Sequence, residues 1–345
     1  MNISTLATYL QLNSSIRTLQ RSMLDAQKEM STGRKADLIA ALRDRAAEAV
    51  NLRNTLNDTA EFKRSAEIAA SRIDTMQTAL AGVRDIIGQM RNTALTARDD
   101  VSRAYLQEAA TAAIDRVNSF LNGQAAGRAL FAGIETDTSP MQDVDTVNAG
   151  SGYSPLQAVQ QVIGSLGPMT DAASAQAVAS GVASIFDDSN ADPDLRYTAT
   201  FYNGATTGSV TTRLDNGYQV DYGVRADDPA IRQVLEGLYM LASVAPGSVP
   251  DEAYAAWQDQ AVARLVDGYQ AVVDLSAKLG FKEAMISDAI TRHEATMAQL
   301  NNEVADLEAA DPYETAMRIS QLQTQLEATF SITARMNELT LTKFL

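Results

Sequence analysis

The chain has 345 residues, is 46% hydrophobic but only 6% aromatic, and carries a formal charge of −15. That charge argues against sequence-independent nucleic-acid binding, which needs a basic face, and against an electrostatic membrane anchor. With no cysteine and one histidine, His293, the composition excludes disulfides, thiolate nucleophiles, cysteine-bound metals and histidine-cluster sites, while leaving the compartment open.

Residues 1–16 contain no charged side chain. They lack the basic start and continuous apolar stretch of a secretory leader, so no cleavable signal is expected. No apolar run in the chain approaches the length of a membrane span. Tyr9, Leu12, Ile16, Leu19, Met23, Ala26 and Met30 then alternate three and four residues apart, the spacing of a coiled-coil seam. The neutral outer face predicts packing on several neighbours, since a solvated helix normally carries lysine and glutamate there. Gly33 is a candidate stop.

Residues 34–45 form a charged connector. Leu52, Thr55, Thr59, Phe62, Ala66, Ala69, Ile73, Met76, Leu80, Val83, Ile87, Met90 and Ala94 follow without a slip, which predicts a long left-handed rod. Gly82 and Gly88 each cost about 1 kcal/mol relative to alanine but leave its phase intact. Asp99 and Ser102 mark a new cap. The helix after it places Leu106, Ala110, Ala113, Val117 and Phe120 on one face and ends at Asn122-Gly123. In run 127–141, glycines bracket a short apolar stretch, as in a strand or hairpin packed on the rods.

Residues 142–224 are the least helical part. Ser154-Pro155 starts a helix towards Gly164, and 171–186 is a second. Runs 197–202, 209–214 and 218–224 read as strands, with Asn203-Gly204 and Asn216-Gly217 as hairpin turns. Asp228-Pro229 restarts helix, with Ile231, Val234, Leu235, Leu238 and Leu241 inward. A last rod after Pro250 carries Leu265, Tyr269, Val272, Leu275 and Leu279. Beyond Gly280 its stripe continues through Ile286, Ile290, His293, Met297, Leu300, Val304 and Leu307.

The final helix opens on Asp311 as cap, Pro312 at its first position and Glu314 as capping-box partner. Its stripe of Ile319, Leu322, Leu326, Thr329, Thr333, Met336 and Thr340 fades from aliphatic to hydroxyl, with Phe330, Ile332 and Leu339 beside it. Such a stripe is marginal on an isolated helix and needs a partner. The plan is therefore nested and mainly α, with antiparallel rods built from both chain ends around a small α+β insert. The expected divisions are 1–43 with 308–345 as terminal helices, 44–141 with 225–307 as rods, and 142–224 as outer insert. The ends lack the apolar surface to repay ordering alone and are expected to be disordered in the free chain.

No catalytic, cofactor-binding or metal residue is expected. His293-Glu294 invites a zinc-protease reading, but Met297 stands where the second histidine belongs, so His293 reads as a seam residue. Asp187, Asp188, Asp192 and Asp194 lack the spacing of a calcium loop and read as solvated loop charge. Run 127–133 lacks the lysine of a phosphate loop. Trp257 reads as a packing anchor.

The nested plan resembles the bacterial flagellar axial proteins, the flagellins and hook-associated proteins. The resemblance spans both ends and most of the rods, leaving about residues 142–195 outside it. Segment 19–34, ending in Ser31, Thr32, Gly33 and Arg34, is similar to the family's leucine stripe and Ser-Thr-Gly signature. Phe201, Tyr202, Asn203, Gly204, Gly217, Gly223 and Arg225 resemble its inner strands, and 321–328 with 339–345 its terminal helix. Where many members carry Asp-Asp-Pro, this chain has Ala36, Asp37, Leu38 and Ile39. Gly127, Phe131, Gly133, Thr136 and Pro140, with a tail lacking proline after Pro312, are most similar to the members that join hook to filament.

The resemblance implies a structural part rather than an enzyme. It implies export through the flagellar type III apparatus without a cleaved signal, and an extracellular place in the flagellum. The implied partners are hook-associated protein 1, flagellin, further copies in a ring, and an export chaperone. The expected subunit-interface residues are Leu12, Ile16, Leu19, Met23, Met30, Ile319, Leu322, Leu326, Met336 and Leu339. A minor flagellin and a cytoplasmic coiled-coil adaptor are the other readings, with an enzyme of unfamiliar site a distant third.

Overall fold

The computed structural model describes the backbone of residues 2–341 and the side chains of residue 7 and residues 10–335. The described chain is mainly helical, with two small antiparallel sheets. Ten α-helices run in order as α1 (Asn2–Thr32), α2 (Leu38–Leu42), α3 (Ala46–Thr96), α4 (Asp100–Leu121), α5 (Pro155–Ser165), α6 (Ala172–Phe186), α7 (Tyr197–Thr200), α8 (Pro229–Ser243), α9 (Asp251–Glu308) and α10 (Pro312–Leu341). Strands β1 (Gln124–Ala125) and β2 (Arg128–Ala129) form one hairpin, and β3 (Thr211–Asp215) and β4 (Tyr218–Asp221) another. Two compact units result, one from Met1–Glu61 with His293–Leu345 and one from Phe62–Arg292.

The second unit holds most of the core. Ile73, Met76, Leu80, Val83, Ile87, Met90 and Ala94 of α3 are all buried, so the heptad stripe is the packing seam. They share one cluster with Leu106, Ile114 and Val117 of α4, Ile231, Leu235 and Leu238 of α8, and Leu265, Val272 and Ile286 of α9. Gly82 is required by that packing: a Cβ there would meet the Phe120 ring at 2.5 Å. Helix α9 runs through Gly280 without a break. Tyr269, expected inward, is 37% exposed. Trp257 is buried and donates from Nε1 to the Met240 carbonyl at 2.9 Å.

The start signals act as their chemistry requires. Asp99 and Asp171 each accept from a backbone N–H three residues on, in full capping boxes, as does Ser154. Asp228 caps α8 ahead of Pro229. The first hairpin turns at Ala126 and Gly127, both at positive φ (52° and 75°), and so straddles the start of the expected run 127–141. Residues 130–133 behind it are buried loop.

Run 197–202 is a correction. It folds as the helical turn α7 and not as a strand, and Asn203-Gly204 makes no hairpin between named strands. Tyr197 and Phe201 are four apart and stack at 5.4 Å, while Phe201 also meets Phe186 at 5.3 Å and Tyr239 at 5.2 Å. One helical turn puts both rings on the same side, which a strand does not. Asp188 is a second correction. It is half-buried, at φ 59°, and accepts from Arg232 Nη1 at 2.5 Å and from the Thr198 N–H at 3.0 Å. It ties α6, α7 and α8 together instead of standing in solvent.

Glu236 of α8 is 4% exposed, with Oε1 2.8 Å from Arg264 Nε in an approach too poorly aligned for a hydrogen bond. Burial pushes its pKa from 4.5 up to about 7, against the pull of Arg264. Between those values the folded chain holds a proton that the unfolded chain releases. This contribution to stability is complete below pH 4.5 and is lost as pH rises through about 7, by roughly 3 kcal/mol. Denaturant unfolding at pH 5 and pH 8 is expected to show that loss in the native chain and not in Glu236→Gln. Equal pH slopes in both would contradict it.

Candidate assembly interface

In the first unit, the connector after α1 is zipped to the corner between α9 and α10. Gly33, at φ 67°, ends α1 and its carbonyl accepts from the Ala310 N–H at 2.9 Å. Lys35 N–H donates to the Glu308 carbonyl at 2.9 Å, and Arg34 bridges Ala309 antiparallel. The Glu308 carboxylate beneath is 1% exposed. Arg53 donates to it at 2.7 Å and 2.5 Å, with Arg34 at 3.7 Å. A buried carboxylate needs such partners, because leaving it unpaired costs several kcal/mol.

From this corner α1 and α10 pair antiparallel. Arg318 bridges Glu29 at 3.2 Å and Glu314 at 2.9 Å. Asp311 accepts from the N–H groups of Tyr313 and Glu314, so it is the expected cap, while the Glu314 side chain is turned to Arg318. Among the described residues, burial between the helices is thin. Ala26 of α1 and Thr315, Leu322 and Leu326 of α10 are buried, and Leu12, Ile16, Leu19, Met23 and Ile319 are half-buried.

Opposite the seam each helix also leaves large apolar side chains uncovered, interleaved with Arg17, Arg21 and Lys28 on α1 and with Ser320, Thr324 and Glu327 on α10. At 3.6 residues per turn, Tyr313 and Met317 lie opposite Leu322 and Leu326, and Leu10 and Leu24 lie opposite Ala26. These four are 84%, 72%, 59% and 64% exposed. Phe330 and Ile332 are exposed too. Exposed apolar groups on a thinly packed helix pair suit an interaction surface.

The hydroxyl groups along these two helices suit burial. Ser15, Thr18, Thr324, Thr329 and Thr333 each donate to the carbonyl four residues back at 2.7–3.0 Å. Their donors are already satisfied, so covering them costs little desolvation. A lysine or glutamate face has no such internal partner.

The expected interface residues thus divide. Leu322 and Leu326 are covered within the chain, and Leu12, Ile16, Leu19, Met23 and Ile319 are partly covered. Met30 is 49% exposed. Met336 and Leu339 lie outside the residues whose side chains are described. Sequence reasoning missed the opposite faces and Glu308. The signal for Glu308 is its position four residues after Val304, on the buried side of α9.

No helix among the described residues is long and apolar enough to cross a membrane. Residues 3–136 match the bacterial flagellin N-terminal helical region, and residues 265–345 match the bacterial flagellin C-terminal helical region. Together the two matches take in more than half of the chain. The chain belongs to the bacterial flagellin family.

It is therefore a structural component of the flagellum. Apart from its first two residues, the first unit of this flagellin-family chain falls within the matched segments. Among solved structures, it is similar to a protein assigned as a flagellar hook-associated protein from Vibrio parahaemolyticus. That likeness has 13% identity and a TM-score of 0.52 over 78% of this chain and 99% of that one. It also aligns with Bacillus cereus FlgL at 10% identity and TM-score 0.47, over 76% and 100% of the two chains. At these identities the first likeness is one of fold. Comparison with curated proteins gives no match.

Proposed function

We propose that this chain forms the ring joining hook to filament, the place of hook-associated protein 3. The observation that carries the reading is the set of large apolar side chains left uncovered on the paired terminal helices, in a chain of the flagellin family. On this reading Leu10, Leu24, Met30, Tyr313 and Met317 pack against neighbouring copies as an inner tube, with the half-covered seam from Leu12 to Met23 and Ile319 completing it. Hook-associated protein 1 lies on one side and flagellin on the other. The chain reaches its place by type III export with a chaperone, and without cysteine it has no covalent link to undo in transit.

Placement at the junction is supported by the resemblance of the run from Gly127 to Pro140 to the members that join hook to filament, a run that the fold holds in place. Phe131 is fully buried, the Ala226 N–H donates to its carbonyl at 2.9 Å, and the Ala129 N–H donates to Thr136 at 2.7 Å. Immunogold labelling of intact flagella is expected to mark one point between hook and filament. Label along the whole filament would make the chain a minor flagellin, and label confined to cytosol would make it an adaptor.

The thin α1–α10 seam also sets how the free chain behaves. Two helices with so few buried residues do not repay their ordering entropy without neighbours. Limited proteolysis of the free chain is expected to remove about 40 residues from each end and leave the second unit intact. Ends resistant in the free chain would contradict assembly-coupled ordering.

A further inference from the structure

Three Asn-Gly pairs occur in the chain, at 122–123, 203–204 and 216–217. Such a pair carries its own reactive partners. The glycine amide nitrogen attacks the asparagine side-chain carbonyl carbon, and a new C–N bond closes a five-membered succinimide. The bond from that carbon to the side-chain nitrogen breaks, and ammonia leaves with the proton given up by the backbone amide. Water then opens the ring at either carbonyl, leaving aspartate or isoaspartate. Glycine favours the attack because no Cβ crowds the nitrogen or restricts the turning peptide. The side chain must also be free to swing onto that peptide.

The fold withholds this freedom from two of the pairs. Asn122 is half-buried, donates from Nδ2 to the Met141 carbonyl at 3.1 Å and accepts at Oδ1 from the Met141 N–H at 2.7 Å. The Gly123 N–H is itself held by the Phe120 carbonyl at 3.1 Å. Asn203 is half-buried too, accepting from Asn148 Nδ2 at 2.9 Å and donating to Gln142 Oε1 at 2.9 Å. Its neighbour Gly204 is packed so closely that a Cβ there would meet the Ala132 carbonyl oxygen at 2.8 Å. Swinging either amide breaks two part-buried hydrogen bonds.

Asn216 and Gly217 are both exposed, in the turn between β3 and β4. Gly217 is at φ 82°, and a Cβ on it would meet nothing within 4 Å, so no neighbour blocks the peptide. Asn216 Oδ1 accepts from Arg213 Nη2 at 3.2 Å, and Arg213 also lies 5.6 Å from the centre of the Phe62 ring. Negative charge develops on that oxygen as the succinimide closes, so the guanidinium stabilises the step. The Asp215 carboxylate is engaged by the Asn216 N–H at 2.7 Å.

We propose that Asn216 is a self-modification site, converting to aspartate and isoaspartate in the folded chain while Asn122 and Asn203 stay intact. The new carboxylate pairs with Arg213 in place of the amide. Isoaspartate adds a backbone methylene to a turn whose strands hold Leu214 and Val220 inward, and so loosens the hairpin. The chemistry needs no neighbouring copy and does not rest on the assembly reading.

The full-length native chain, aged at pH 8 and digested at intervals, tests this by peptide mass spectrometry. Conversion of amide to acid is expected at Asn216 more than about 10-fold faster than at Asn122 or Asn203. In denaturant, where the bonds holding Asn122 and Asn203 are gone, the three rates are expected to converge. Arg213→Ala is expected to slow Asn216 about fivefold and leave the other two sites unchanged. An Asn216 that stays intact in the aged native chain, or converts no faster than Asn122 and Asn203, overturns the proposal. An unchanged rate in Arg213→Ala overturns the part given to the guanidinium.

Discussion

Leu24→Asp combined with Met317→Asp is expected to abolish incorporation into flagellar seeds while leaving the Tm of the free chain unchanged. Both side chains are largely exposed in the single chain, at 64% and 72%. Surface substitutions away from packing features change stability by no more than about 0.5 kcal/mol. In an assembly whose copies cover those faces, each substitution buries a carboxylate against apolar surface at a cost of several kcal/mol. Two such costs lower affinity by more than about 100-fold. Leu24→Ser with Met317→Ser gives an intermediate loss, because a serine hydroxyl can bond back to its own helix. Pelleting with seeds reads the effect. Normal pelleting of the double aspartate variant would remove these faces from the interface.

Phe201→Ala is expected to act in the opposite way, on the fold of the second unit. Phe201 is fully buried at the centre of Phe186, Tyr197 and Tyr239, with ring centroids 5.2–5.4 Å away. Truncating a core phenylalanine costs about 3–5 kcal/mol through lost transfer energy and the cavity left behind. In a unit of this size that lowers Tm by about 10 °C. Tyr197 is affected as well, because its hydroxyl donates to the Ala226 carbonyl at 2.8 Å and its ring carries the Arg232 guanidinium at 4.7 Å. Phe281→Ala is the control: that ring is 68% exposed and its loss is expected to change Tm little. A Phe201→Ala chain melting with the native one would show that the aromatic cluster is not the centre of the unit.

The rods were legible because a seven-residue repeat has one physical solution. Ile73 through Ala94 keeps its phase, and a helix carrying that phase must bury it. Caps were legible for a similar reason, since Asp99, Asp171 and Asp228 sit where unpaired N–H groups need an acceptor. Run 197–202 misled because its aromatics and threonines suit a strand, whereas the Tyr197–Phe201 spacing of four becomes informative only once Phe186 and Tyr239 are beside it. Tyr269 fits the α9 stripe by spacing but stands in a notch beside Gly88, a feature of two helices that neither sequence stretch contains.

The assembly face was only half legible. A 3/4 stripe such as Leu12, Ile16, Leu19 and Met23 shows that a helix has an apolar side. It does not say whether that side meets the same chain or another. Leu10 and Leu24 fall two heptads apart on α1, outside the continuous stripe, and Tyr313 and Met317 lie before the α10 stripe begins. Pairing of α1 with α10 shows that these are the residues left uncovered.

The junction assignment is tested most directly by sedimenting the full-length chain with short filament seeds under conditions that polymerise flagellin. The chain is expected to stay soluble alone, to pellet with hook-associated protein 1, and to bind seed ends without lengthening them. Growth of seeds into long filaments would make it a filament-forming flagellin and would contradict its place at the junction.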